Sequence, residues 1–173
     1  MAISLYDLSV PNYLQITGAV DGFLAKAASH FKDNNIDANE VVEHRLFPDM
    51  LPFRFQIVSV AHHSIGAIRG IEAGLFAPPG PLGELDFAGL QKIVKDAREA
   101  LQQVKADEVN ACEGKDMVFQ LRDTKIPFTA EGFIQSFSLP NFYFHATTAY
   151  DILRTKGVPL GKRDFLGRMR LKS

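Results

Sequence analysis

Apolar residues recur at spacings of three and four along most of the chain, the period of a helix with one buried face. In the first such stretch Tyr13, Ile16, Val20, Phe23, Leu24, Ala27 and Phe31 share a face. Ser9 is the expected cap, Pro11 suits an early helical position, and "KDNN" ends the run. Asp21 lies at the edge of the stripe and is expected in solvent. A second helix follows "RLFPDMLP", with Asp49 as its expected cap and Pro52 in its first turn. Phe53, Ile57, Val60, Ala61, Ile68, Ile71 and Leu75 form its stripe, and "APPGPLG" stops it because proline cannot continue the hydrogen-bond ladder. A third helix starts at the cap Asp86 and carries Phe87, Leu90, Val94, Ala97, Leu101 and Val104, the spacing of a bundle seam.

The pattern turns to strict alternation in "DMVFQLRDTKIPFT", where Met117, Phe119 and Leu121 interleave with Val118, Gln120 and Arg122. This predicts a short hairpin with its turn at "RDTK". Thr129 then caps a fourth helix that runs to about Lys156, where Gly157 stops it and Pro159 follows. The remaining "VPLGKRDFLG" has no period and reads as a tail. No repeat or second domain interrupts the pattern, so residues 1–173 are expected to form one domain. Four amphipathic helices predict an all-α fold, a four-helix bundle with a short β-hairpin between its third and fourth helices.

Composition narrows the function classes. With 46% hydrophobic and 23% charged residues in 173, the chain can bury a core without disulfides or metals. A net charge of −1 gives no global attraction to nucleic acid or to an anionic membrane, and the aromatic residues do not interleave with basic ones. Lys162, Arg163, Arg168, Arg170 and Lys172 nonetheless crowd the C-terminus, as a solvated tail or a phosphate-binding site. The single cysteine, Cys112, excludes an internal disulfide, and it lies in the polar stretch "EVNACEGKD" without a nearby histidine, so a catalytic thiol is not expected. No secretory leader and no run of about 20 apolar residues is present, which leads to the expectation of a cytoplasmic protein. Walker, dinucleotide, Ser–His–Asp and Cys-x-x-Cys signatures are absent.

Chemistry concentrates on the fourth helix, in "SLPNFYFHATTAYDILRTKG". Pro140 lies inside it and is expected to kink it. At 100° per residue, Ile134, Ser138, Asn141, Phe142, His145, Thr148, Ala149 and Ile152 share the inward face, which places four polar side chains on a core stripe. Buried polar groups without partners cost about 1 to 3 kcal/mol each, so these require other side chains, water, a metal or a ligand. Leu139, Tyr143, Ala146 and Tyr150 form a second packing stripe that the tail, the hairpin or a second copy must cover; a homodimer is the expectation. His145 is the candidate catalytic residue, with Asn141 one turn before it. Such i, i+4 pairs bind metals when both are histidine or carboxylate, whereas asparagine is a weak ligand. His62 and His63 are adjacent, cannot chelate together on a helix, and fall off the Ile57–Ile68 stripe, so both are expected at a surface or interface. His30 and His44 carry no expected chemistry.

Three stretches, "SLYDLSVPNYL", "RLFPDMLPFRFQ" and "LPNFYFHATTAYDILRTKGVPLGKRDFLG", resemble the DinB/YfiT-like metalloenzyme superfamily, and more closely a branch of bacterial and fungal proteins known only as a domain of unknown function. The resemblance spans essentially the whole chain. It implies a four-helix bundle, often dimeric, whose metal-binding members use one histidine from helix two and a His-x-x-x-His pair from helix four. Some members are thiol-dependent transferases or isomerases. Here His145 stands for one member of the pair, Asn141 and Ala149 occupy the positions four residues on either side, and Gln56 stands for the third histidine. Amides are weak donors beside imidazole, so no cofactor is expected, with a divalent transition metal as the alternative. The leading expectation is therefore a metal-free polar pocket of Gln56, Asn141, His145 and Thr148 that binds a small-molecule ligand. The alternatives are a metal-dependent or His-dependent enzyme, with His145 as general base near its ordinary pKa of about 6.5, and a structural or stress-related homodimer. Neither a nucleic-acid nor a membrane partner is expected.

Overall fold

The computed structural model describes residues 3–81 and 83–172. The chain is mostly helical with one small sheet. Helix α1 (Leu5–Asp33) buries every apolar residue of its expected stripe from Tyr13 to Phe31. It begins earlier than its sequence suggested: Ser4 is the cap, accepting from the Asp7 N–H while the Asp7 carboxylate accepts from the Ser4 N–H. Ser9 lies inside the helix and donates to the Leu5 carbonyl at 2.6 Å, and Pro11 is an interior residue. A 3₁₀ turn (Ala38–Val41) leads to α2 (Phe53–Ala61), which passes through a π-helical turn (His62–Gly66) into α3 (Ala67–Ala73). Asp49 does not cap α2. Pro52 occupies the cap position without a side-chain bond, and Arg45 donates to the Met50 carbonyl at 2.8 Å.

Gly74 at φ 71° ends α3, so Leu75 leaves the helical stripe and starts strand β1 (Leu75–Phe76). A two-residue strand has no period to detect, and this one was not expected. β1 pairs in parallel with β2 (Asp116–Leu121), which pairs antiparallel with β3 (Thr124–Thr129) around the expected turn at Arg122–Asp123. Pro127 lies on β3, an edge strand, where its missing N–H costs no ladder bond. Between β1 and β2 along the chain run α4 (Phe87–Gln102), capped by Asp86 to the Gly89 N–H at 2.7 Å, and the short α5 (Ala106–Asn110). Cys112 follows α5 and is buried in the core, not in a polar linker. Its thiol is pushed up by burial, away from the reactive thiolate.

The last long helical run is α6 (Ala130–Phe133), a second π-helical turn (Ile134–Ser138) and α7 (Leu139–Thr155). Thr129 caps it, and Gly157 at φ 81° follows its end. Pro140 sits at the second residue of α7, directly after the π turn, so the change of winding falls where proline cannot supply an N–H. α1 packs against α4 and α7, and α2 packs against the same two helices. The shared core holds Phe53 stacked on Phe87 and Tyr13 edge-on to Phe142. The tail helix α8 (Lys162–Leu166) lies on α1, where Asp164 pairs with Lys26. Phe165 packs on Tyr150, whose hydroxyl donates to the Leu160 carbonyl, so the tail covers part of the second stripe of α7. Asp21 is half-buried against Arg98, not free in solvent. Among the described residues no helix is long and apolar enough to cross a membrane.

Candidate functional site

The site forms where α2 faces α7. Gln56 on α2 and His63 in the π-helical turn that continues it are seven residues apart, about two turns, so they share the face of this run directed at α7. Both are buried, as is Ser59 between them. His63 is therefore not a surface residue. α2 packs against α4 and α7 at once and buries two faces, while the Ile57–Ile68 stripe marks only one of them.

Four hydrogen bonds order the site. The Gln56 amide nitrogen donates to the Leu51 carbonyl at 2.8 Å, which turns its carbonyl oxygen toward His145. That oxygen lies 2.8 Å from His145 Nδ1. An amide oxygen only accepts, so Nδ1 carries the proton and Nε2 keeps its lone pair. The Leu51 carbonyl thus sets the tautomer of an imidazole two residues removed. On the other side, the Ser138 hydroxyl donates to the His63 carbonyl at 2.8 Å and accepts from the Tyr13 hydroxyl at 2.8 Å. Both ends of this link lie in π-helical turns, His63 in one and Ser138 in the other. Such turns recur at functional sites because they disturb the regular ladder.

Imidazole against imidazole, His63 and His145 lie 5.8 Å apart at 22°. Phe76 and Phe137 flank His63, and Phe55 and Phe144 flank His145. In these surroundings the charged forms lose solvation. Burial lowers His145 to about 4 and, with the two neighbouring histidines adding their repulsion, lowers His63 to about 3. Both rings are neutral at pH 7. His63 Nδ1 is buried without a hydrogen-bond partner among the described residues. His62, also lowered by burial, is occupied at Nε2 by the Ala77 carbonyl at 2.7 Å.

Of the four residues expected to line the pocket, only Gln56 and His145 are joined. Asn141 donates to the Phe137 carbonyl at 2.7 Å and Thr148 to the Phe144 carbonyl at 2.8 Å, each four residues back on its own helix. Short polar side chains take this local route whenever the preceding turn offers a carbonyl. His63 takes their place. Its signal was the seven-residue spacing from Gln56, which a single apolar stripe obscured.

The residues present do not fit a three-histidine metal centre. Two imidazoles and an amide remain, the amide oxygen is engaged by His145, and no group of three His, Cys, Asp or Glu among the described residues is placed to share an ion. A cavity of about 1020 Å³ lies away from these histidines, beside the Arg54–Glu43 pair and the start of α4.

The family model of a domain of unknown function, DUF1993, matches residues 5–166. No curated protein matches the chain. Among solved structures it is similar to a DinB family member protein from Shewanella denitrificans, at 24% identity over 98% of this chain and 95% of that one, with a TM-score of 0.81. A likeness of that depth concerns the fold. On the match to residues 5–166, this chain belongs to the DUF1993 family of unknown function, built on a DinB-like fold.

Proposed function

We propose that the four long helical runs work as a four-helix bundle that presents a metal-free polar site to a small ligand bearing a hydrogen-bond donor. The observation that carries this is the Leu51–Gln56–His145 relay, which holds a neutral imidazole with its lone pair at Nε2. Part-exposed between Phe55 and Phe144, His145 offers that lone pair beside apolar surface suited to a flat or apolar ligand body. Acid–base catalysis receives less support. An imidazole lowered to about 4 is a weak base at pH 7, where a general base works best with a pKa near the operating pH. The test is ligand-observed NMR with small hydroxyl and amide donors, comparing wild type with Gln56→Leu and His145→Ala. Binding by wild type that both variants lose supports the reading; binding that both retain overturns it. Elemental analysis of protein purified without a histidine tag tests the metal-free part, and a full equivalent of metal per chain overturns that.

A homodimer is the second reading. Large apolar side chains remain exposed, Phe144 beside His145 at 57% and Phe47 in the loop before α2 at 64%. Sedimentation of wild type as a dimer, and of Phe144→Arg as a monomer, is the expected result; a monomeric wild type rejects it.

A further inference from the structure

The basic C-terminus is not a free tail. The Gln15 side chain donates to the Leu166 carbonyl at 2.9 Å, which pins the end of α8 to α1. Gly167 then turns the chain at φ 57°. A Cβ there would meet the Ala19 side chain at 3.1 Å and the Gln15 carbonyl at 3.2 Å, so both the dihedral and the contact require glycine. The turn delivers Arg168 and Arg170 to a cavity of about 350 Å³ over α1, where Arg98 of α4 meets them. Each guanidinium is held differently. Arg98 bonds Asp21 at 3.0 Å and lies over Gly18, where an added Cβ would stand 3.6 Å from its Nε. Arg170 donates to the Asn12 side-chain oxygen at 2.7 Å. Arg168 makes no ion pair with the described residues.

Among the described residues no carboxylate lines this cavity. Among the described residues the three guanidiniums of this cavity have one ion-pair partner, Asp21, which bonds Arg98, so Arg168 and Arg170 carry two positive charges without a paired carboxylate. That excess stands out in a chain of net charge −1. Guanidinium cannot shed its proton to relieve the repulsion, so an anion is the group that balances it. The planar forks match phosphate oxygens, the amide of Gln102 adds a neutral donor, and Leu14 gives an apolar wall. The volume falls in the range of small-molecule sites, about 300 to 1,000 Å³.

We propose that the docked tail and helices α1 and α4 form a binding site for a phosphate-bearing small molecule, separate from the histidine site. The experiment is calorimetric titration of the full chain with inorganic pyrophosphate against a sodium chloride control of equal ionic strength. Saturable binding to one site is expected. Arg168→Gln and Arg170→Gln should each weaken it about tenfold or more, the loss of a charge-assisted contact. Gly167→Ala, which keeps every arginine but misdirects the tail, should weaken it comparably. Arg163→Gln, exposed and outside the cavity, should leave it within about twofold. Non-saturable heats overturn the proposal, as does an equal loss in Arg163→Gln and Arg168→Gln, which would mean general charge attraction.

Discussion

Burial keeps His63 and His145 neutral, and this couples the site to pH. Both are lowered below the ordinary histidine value of about 6.5, to about 3 and about 4. Below pH 6.5 the unfolded chain takes up protons at these positions while the folded chain does not. Folding stability is therefore complete above about 6.5 and falls as pH drops toward 4, by up to about 1.4 kcal/mol per pH unit for each ring. Urea unfolding at pH 7.5 and 5.0 checks this. Wild type should lose more stability than His63→Gln/His145→Gln, and equal losses would refute it. A carboxylate at the position of the Gln56 oxygen, 2.8 Å from Nδ1, would favour the imidazolium. Gln56→Glu should accordingly raise the His145 pKa by about one unit or more in a histidine NMR titration. An unchanged value would mean that Gln56 does not control this ring.

Helix ends carry contrasts that mutation can read. Ser4, Asp86 and Thr129 each accept a backbone N–H at the start of a helix. Their replacement by alanine should cost about 1 kcal/mol each in denaturant unfolding. Asp49 is exposed and does not cap α2, so Asp49→Ala should change stability by less than about 0.5 kcal/mol. From sequence the two aspartates look alike, each just ahead of a helix with an apolar stripe. The difference lies in Pro52, which takes the cap position of α2 and leaves Asp49 three residues outside it. The π-helical turns belong to the same scale. They place the His63 carbonyl within reach of Ser138, and they are invisible to a constant 100° per residue.

Across the whole molecule, one aromatic-rich core joins the helices to the sheet, and α7 runs through it. Phe142 is fully buried and edge-on to Tyr13. Phe142→Ala should cost about 3 to 5 kcal/mol, measured as a fall in denaturation midpoint without change of slope; a loss under about 1 kcal/mol would mean that the core collapses around the gap. Taken alone, the sequence determined the long helical runs, most of their buried stripes but not Leu75 or Val104 at the ends, the hairpin and the caps at Asp86 and Thr129. These depend on local periodicity and on contacts within one turn. The periodicity of the fourth helix also singled out His145, and a family resemblance added Gln56. Tertiary structure alone decided that His63 faces His145, because two buried faces of one helix cannot be ranked until its neighbours are in place. Tertiary structure decided as well that Asn141 and Thr148 bond their own helix, and that the basic tail docks. A polar side chain chooses between a local carbonyl and a distant partner by geometry, and the tail finds its place through Gly167, Gln15 and Ala19, which only the folded chain brings together.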